Sequence, residues 1–347
     1  MNATAAGRRI EIDAAPAIPG VVFRHWAGEV DLPGMFAVSS AARAADGEVE
    51  PITLDAMTVR YRHLVNCDLD RDLLIAELDG RTVGYARVEW ADSNDGERWY
   101  EGTCLLHPDA RRRRIGTAML AWTEARRRAI RAEQVDAGTA PSVPTYLTSF
   151  VFDRDAGGHA LLSQHGYEVQ RRFYEMVRDG LGFVPEVPLP DGLEVRPIGR
   201  DRESMRRLFE AETEAFREHF GSLDASETSF DEFINDPDAD PGLWVIAFDG
   251  DEVAGGVINA VHGEGTRRQG WLDSVFTRRP WRRRGLARAL IARSLPRIRE
   301  RGLDAAYLGV DATNPHQALG LYESVGFEVA SSATAYRRRL DDAGTAE

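Results

Sequence analysis

Leu105-Leu106-His107-Pro108-Asp109-Ala110-Arg111-Arg112-Arg113-Arg114-Ile115-Gly116-Thr117-Ala118 and Ser274-Val275-Phe276-Thr277-Arg278-Arg279-Pro280-Trp281-Arg282-Arg283-Arg284-Gly285-Leu286-Ala287 are two versions of one device. Each runs from an apolar strand through a turn dense in arginine into a helix. The first backbone N–H groups of such a helix have no intrahelical partners and point into the turn. An end of this kind attracts anions, phosphates above all.

The two copies belong to a longer repeat. Leu73-Leu74-Ile75-Ala76-Glu77-Leu78-Asp79-Gly80-Arg81-Thr82-Val83-Gly84 matches Leu243-Trp244-Val245-Ile246-Ala247-Phe248-Asp249-Gly250-Asp251-Glu252-Val253-Ala254, both read as apolar strands joined by an Asp-Gly hairpin turn. Asp79 and Asp249 lie 170 residues apart, and Gly116 and Gly285 lie 169 apart, so the register holds to one residue. We read this as duplication of a whole domain. The stretch Gly180 to Gly192 is too rich in proline and glycine to continue a helix or a central strand. The expected organisation is a first domain over 18–180, a linker over 181–192 and a second domain over 193–340. In each half, strands and hairpins interleave with helices, which predicts a mixed α/β sheet. Helical periodicity is clearest in the second copy, where Met205, Leu208, Phe209 and Phe216 share one face.

Composition narrows the function. A chain of 347 residues is comfortable for two domains. The net charge of −13 argues against nucleic-acid binding through phosphate contacts over the whole surface. All 43 basic residues are arginine, which rules out a lysine nucleophile or Schiff base. Cys67 and Cys104 fit neither a disulfide framework nor a zinc site, so no metal is expected. The N-terminal stretch has no apolar signal-like region and no run of eighteen apolar residues occurs, which predicts a cytoplasmic protein without membrane attachment.

Downstream of the second turn the chain reads Leu308-Gly309-Val310-Asp311-Ala312-Thr313-Asn314-Pro315-His316-Gln317-Ala318-Leu319-Gly320-Leu321-Tyr322-Glu323-Ser324-Val325-Gly326-Phe327. Together with Arg282-x-x-Gly285-x-Ala287, this resembles the Gcn5-related N-acetyltransferase (GNAT) superfamily over nearly all of residues 193–335. The resemblance implies two tandem GNAT-like acyl-CoA N-acyltransferase domains and acetyl-CoA as acyl donor. It implies that Arg282, Arg283, Arg284, Gly285, Leu286, Ala287 and Arg288 cradle the pyrophosphate. Val275, Phe276 and Thr277, on a strand splayed from its neighbour, would pair with the pantetheine arm. Tyr322, four residues before the Gly-Phe pair, would protonate the departing thiolate, and Asn314 would bond the pantetheine or CoA. The physical logic agrees: glycine permits close approach of backbone to phosphate, and arginine adds charge-assisted bonds.

Asp273 is a carboxylate in an otherwise apolar strand, so it is either functional or a satisfied acceptor. Alternation places it on one face with Trp271 and Val275. Glu218 and His219 are alternative pocket residues. In the first copy, Arg113, Gly116 and Ala118 fall opposite Arg282, Gly285 and Ala287, and Leu106 falls opposite Val275. Leu106, Arg111, Arg113, Arg114, Gly116, Thr117 and Ala118 are therefore candidate CoA contacts there. Leu162 stands opposite Tyr322, Arg154 opposite Asn314, and Cys104, read as a small core residue, opposite Asp273. Leucine cannot protonate a thiolate, so the first domain is expected to be catalytically silent. A degenerate first half before an intact second half is similar to the mycothiol synthase group of actinobacterial tandem acetyltransferases.

The expected activity is acetyl transfer to a primary amine of a small molecule by direct attack, in a monomer or homodimer. A non-enzymatic acyl-CoA-binding sensor or interaction protein and a protein N-acetyltransferase are the alternatives. An aminoacyl-tRNA-dependent transferase also pairs domains of this fold, but the acidic charge gives tRNA no footprint.

Overall fold

The computed structural model describes residues 7–184, 186–221, 225–236, 239–313 and 318–340. It forms two compact units. Unit 1 takes the chain up to Glu48, then Leu64–Arg171, and the segment from Ala333; unit 2 takes Val49–His63 and Arg172–Ser332. The units and the sequence repeats are thus different partitions of the chain.

In chain order the first repeat contains β1 (Arg9–Ile10), β2 (Val21–His25), α1 (Leu32–Asp46), α2 (Leu54–Arg62), α3 (Leu69–Asp72), β3 (Leu73–Leu78), β4 (Arg81–Asp92), β5 (Arg98–Leu106), α4 (Ile115–Asp136), β6 (Thr145–Phe152), α5 (Ala156–Gln164) and β7 (Glu168–Asp179). The second contains β8 (Glu194–Val195), α6 (Arg202–Phe216), α7 (Glu227–Asn235), β9 (Val245–Asp249), β10 (Glu252–His262), β11 (Gln269–Thr277), α8 (Leu286–Glu300), β12 (Ala305–Asp311), α9 (Ala318–Ser324) and β13 (Glu328–Arg339). The mixed sheet is as expected: β5 and β6 run parallel, as do β11 and β12, amid antiparallel neighbours. Among the described residues no helix is long and apolar enough to cross a membrane.

The hairpins show how similar sequences reach similar folds by different turns. Leu78 pairs with Arg81, leaving Asp79 and Gly80, both at positive φ (52° and 76°), as the two-residue loop. That is the pattern of the primed turns that match strand twist. Asp249 instead pairs with Glu252, so the second loop is Gly250-Asp251, with Gly250 at φ 58°. The Asp-Gly turn read in both copies is therefore a Gly-Asp turn in the second.

Helix α6 begins where the Asp201 side chain accepts the Ser204 N–H at 2.9 Å, an N-cap bond that satisfies one orphan donor. Its expected apolar face is real: Met205, Leu208 and Phe209 are buried in one cluster with Phe230, Trp244 and Ile258, and Phe216 packs against it. On the opposite sheet face of unit 2, Leu286, Leu290, Leu295 and Ile298 of α8 pack with Val257, Leu272 and Leu308. The described residues of the 181–192 stretch are strapped to the region of that helix. Leu181 is buried in the same cluster, and Arg293, Arg299 and Arg284 donate to the carbonyls of Val187, Leu181 and Asp191.

The last strand of each repeat is exchanged. In unit 1, β6 pairs antiparallel with β13 from Phe152↔Ala333 to Tyr146↔Arg339. In unit 2, β12 pairs antiparallel with β7 from Ala305↔Asp179 to Asp311↔Phe173. Tyr336 and Leu340 are buried in unit 1 with Tyr100, Leu147 and Leu162; Met176 is buried in unit 2 with Leu308 and Tyr322. The exchange is reciprocal in detail. Arg178 donates to Val325 O at the end of α9, and Arg338 donates to His165 O at the end of α5.

A chain ending at Ser332 therefore loses a strand partner and two large core side chains from unit 1. Deleting a large core side chain costs about 2–5 kcal/mol, a large part of ordinary domain stability. Hydrogen exchange should show the amides of residues 145–152 unprotected in the shortened chain.

Candidate active site

In unit 2 the parallel strands β11 and β12 pair only at Gly270↔Ala306 and Trp271↔Tyr307. The Trp271 and Tyr307 rings stack across the last pair, with centroids 5.5 Å apart and planes 21° apart. Beyond it the described residues give no further pairing, so the edge of β11 from Leu272 to Thr277 turns toward a widening gap. Backbone donors and acceptors on such an edge require partners.

A β-bulge sits at the mouth of this gap. The register with β10 passes from Ile258↔Ser274 to Asn259↔Leu272, leaving Asp273 as the extra residue. Bulges bend a strand and re-aim side chains. The strict alternation expected across Trp271, Asp273 and Val275 is broken here, because Val275 packs in the same cluster as Leu272. In unit 1, β4 and β5 pair without a shift from Gly84↔Leu106 to Asp92↔Arg98. Asp273 accordingly has no counterpart in the first repeat.

The arginine turns follow the same backbone path. Arg282 is extended (φ −65°, ψ 158°), Arg283 left-handed (φ 59°), and Gly285 left-handed at the N-cap of α8 (φ 83°, ψ 5°). Arg111 (φ −67°, ψ 163°), Arg112 (φ 63°) and Arg114 (φ 61°, ψ 7°) repeat those values before α4. Arg282 Nε donates to Thr277 O at 2.9 Å as Arg111 Nε donates to Leu106 O at 3.3 Å. Arg282 further bonds Glu218 at 2.6 Å and Ala215 O at 3.0 Å, and Arg111 grips Asp46 with both terminal nitrogens at 2.6 and 2.7 Å. These two arginines pin the turn to the preceding strand and helix. The alignment that puts Arg113, Gly116 and Ala118 opposite Arg282, Gly285 and Ala287 is therefore corrected. Arg111 matches Arg282, Arg114 matches Gly285, Gly116 matches Ala287, Leu106 matches Thr277 and Cys104 matches Val275. Leu78 and Asp249 at the hairpins, like Arg114 and Gly285 at the turns, lie 171 residues apart, and matching look-alike residues, Asp79 to Asp249 and Gly116 to Gly285, missed this.

The consequence is chemical. In unit 2 the left-handed cap is glycine with open space where a Cβ would stand. In unit 1 it is Arg114, which holds an αL conformation that costs a non-glycine residue about 1 kcal/mol. Among the described residues no hydrogen bond or ion pair holds the exposed Arg283 and Arg288 side chains, which flank the cap of α8. Thr277 Oγ1 and Ser274 Oγ on β11 are buried without a well-formed hydrogen bond. In unit 1 the strands part after Glu101↔Thr148, and the wedge is laced shut. Fully buried Arg127 donates to Tyr100 O and Thr148 O, and Ser149 Oγ donates to Gly102 O one step beyond. Cys104, read as a core residue, is exposed.

Tyr322 lies in the last turn of α9, buried in the cluster with Val325 and Phe327, its ring edge-on to Phe327 at 6.2 Å. Burial pushes its hydroxyl up to about 12, so it stays protonated at neutral pH. Phe327 N donates to Tyr322 O at 3.1 Å and Tyr167 N to Leu162 O at 3.1 Å, which confirms leucine as the first-repeat counterpart. Asn314 lies outside the described residues.

Two residues not picked out from sequence join Asp273. His262 Nε2 lies 2.8 Å from Asp273 Oδ1. Glu212 of α6 faces Ser274, and burial, with a smaller contribution from the Asp273 charge, pushes its carboxyl up to about 6. Glu212 occupies the apolar stripe of α6 between Phe209 and Phe216, and a carboxylate in that stripe is the signal that betrays it. Glu218 braces Arg282 and Arg279. His219 packs edge-on to Phe216 at 4.6 Å. Glu218 belongs to the frame of the turn.

A carboxyl whose folded-state value is raised destabilises the fold above that value. The penalty is absent below about 4.5, grows as pH rises through 6 and is then constant. Glu212→Gln should therefore raise stability at pH 8 by about 2 kcal/mol, and not at pH 4, as read by thermal unfolding.

The matches to known proteins follow this geometry. The acetyltransferase (GNAT) family model matches residues 43–148 and again 205–327. A mycothiol acetyltransferase from Geodermatophilus obscurus is 31% identical over 336 residues, covering 94% of this chain and 99% of that protein. Another from Nocardiopsis dassonvillei is 28% identical, covering 88% and 92%. Among solved structures, a GCN5-related N-acetyltransferase from Sphaerobacter thermophilus superposes with a TM-score of 0.69 at 23% identity, covering 94% of this chain and 99% of that one. A tandem GNAT protein from the clavulanic acid biosynthesis pathway gives 0.66 at 17%, covering 93% and 100%. Two matched repeats on a mixed sheet with a parted parallel pair make this chain a tandem acetyltransferase of the GNAT family.

Proposed function

We propose that unit 2 transfers the acetyl group of acetyl-CoA to a primary amine of a small molecule by direct attack, while unit 1 is catalytically silent. One observation carries the reading: a glycine at the left-handed helix cap and a buried, protonated tyrosine in the last turn of the following helix occur together in unit 2, and in unit 1 both are replaced. The related mycothiol acetyltransferases act on a small molecule by their names, which favours a small acceptor over a protein.

The residues fit acetyl-CoA. The N–H groups of Leu286, Ala287 and Arg288 at the start of α8 receive the pyrophosphate, with Gly285 letting the backbone approach and Arg283, Arg284 and Arg288 adding charge. Arg282 positions this cradle rather than touching the ligand, because its donors are spent on Thr277, Ala215 and Glu218. The open edge of Val275, Phe276 and Thr277 pairs with the pantetheine arm as an added strand would, and Thr277 Oγ1 gains a partner. The thioester then sits near the bulge. The amine attacks the carbonyl, the C–S bond breaks and Tyr322 protonates the thiolate.

Tyr322→Phe should lower turnover at saturating substrates about 100-fold with acetyl-CoA affinity nearly unchanged. Thiol release across an amine panel, with calorimetric titration of acetyl-CoA, measures both. Unchanged turnover removes the acid role. Gly285→Glu places bulk and negative charge against the pyrophosphate and should abolish binding in unit 2; retained tight binding there moves the cofactor elsewhere.

A further inference from the structure

Acetyl transfer needs a neutral amine, and an amine at neutral pH arrives as an ammonium. Beside the bulge, unit 2 holds two carboxylates in contrasting surroundings. Asp273 is the extra residue of β11, partly open to solvent, with His262 Nε2 at 2.8 Å. Glu212 projects from α6 against Ser274 and feels the charge of Asp273. Paired acids pushed apart by environment divide labour between a charged and an uncharged role.

Resting on the reading above, we propose that Asp273, braced by His262, docks the acceptor's ammonium and that Glu212 is the base that takes its proton. The groups around Glu212 leave it free to do so. From β11 it faces the Ser274 hydroxyl, which favours its charged form, and Asp273, whose charge disfavours it. From β10, His262 is engaged with Asp273. On α7, Glu227 and Asp231 bind Arg202, and Glu227 also binds Arg206, near the start of α6. On α6 itself, Glu214 is held by Arg278 at 2.7 Å. Among the described residues Glu212 thus has no cationic partner to keep it ionised, and burial holds its carboxyl near 6, close to the working pH of a base.

The protons balance. The ammonium gives one proton to Glu212, and the freed lone pair forms the N–C bond. The C–S bond breaks and the thiolate takes the Tyr322 proton. The second proton leaving nitrogen restores Tyr322, and Glu212 releases its own to solvent. The products are the amide, CoA thiol and one proton. Asp273 takes no part in these proton transfers.

The test uses the full chain with acetyl-CoA and a panel of glucosamine, ethanolamine and cysteine amide. With the best acceptor, wild type should show an acid limb in kcat/KM near pH 6. Glu212→Gln should lose about 100-fold in kcat and lose that limb, with KM for the amine little changed. Glu212→Asp should recover part of the rate, and Asp273→Asn should instead raise KM. An infrared difference titration of wild type against Glu212→Gln reads the carboxyl directly: it should titrate near 6, and lower in Asp273→Asn. A carboxyl that titrates in the ordinary range, or a Glu212→Gln enzyme that keeps rate and limb, overturns the proposal while leaving the acetyltransferase reading intact. No turnover of any panel amine by wild type overturns the small-amine reading and this proposal with it.

Discussion

Two parallel strands that stop pairing after two residues set the terms for everything around them. β11 and β12 meet at Gly270↔Ala306 and Trp271↔Tyr307 and then separate, so a stretch of backbone must find partners other than its neighbour. On the proposed reading, an extended, amide-bearing ligand arm supplies them. The parting also aims the end of β11 at the start of α8, where Arg282 locks the turn by bonding the strand's last carbonyl and the end of α6. Strand edge, helix cap and bulge are consequences of one geometric decision, and under the proposed function they would place a donor's phosphate, arm and thioester in line.

The first repeat shows what happens when that decision is undone without unfolding the protein. Its turn keeps the same dihedral angles, yet an arginine occupies the glycine's place. Its strands part too, but Arg127 and Ser149 bond the carbonyls in the wedge, satisfying internally what unit 2 leaves open. A buried cation needs several acceptors around it, and the wedge provides them. The vacant edge of a binding fold has become a structural joint. The first repeat nonetheless contributes chain to unit 2: Met176 of β7 lines the cluster around Tyr322, and Arg178 holds the end of its helix.

Much of this was legible in the sequence. The repeated turn, the hairpins and the apolar face of α6 carry local signals, in cap glycines, turn dipeptides and helical spacing, and all were found. What escaped was whatever depends on pairing between distant strands. The bulge at Asp273 is invisible to alternation because it breaks alternation. Gly116, two residues past the first copy's cap at Arg114, drew the match of the two turns off by two residues, enough to credit the first copy with a glycine it lacks at the cap. The exchange of β7 and β13 escaped for the same reason, since both repeats have the same strand in the same place and only register tells which sheet each joins. Glu212 was hidden in plain view, one acidic residue in an apolar stripe.

The exchanged strands also order events in time. Unit 1 holds residues from the first repeat and from the chain's end, and its sheet is complete only when β13 arrives. During synthesis the first repeat therefore waits on the ribosome with an uncovered strand edge at β6, while unit 2 can assemble from β7 onward as soon as residue 332 has emerged. The sheet of unit 2 closes first, and the sheet that holds most of the first repeat closes last.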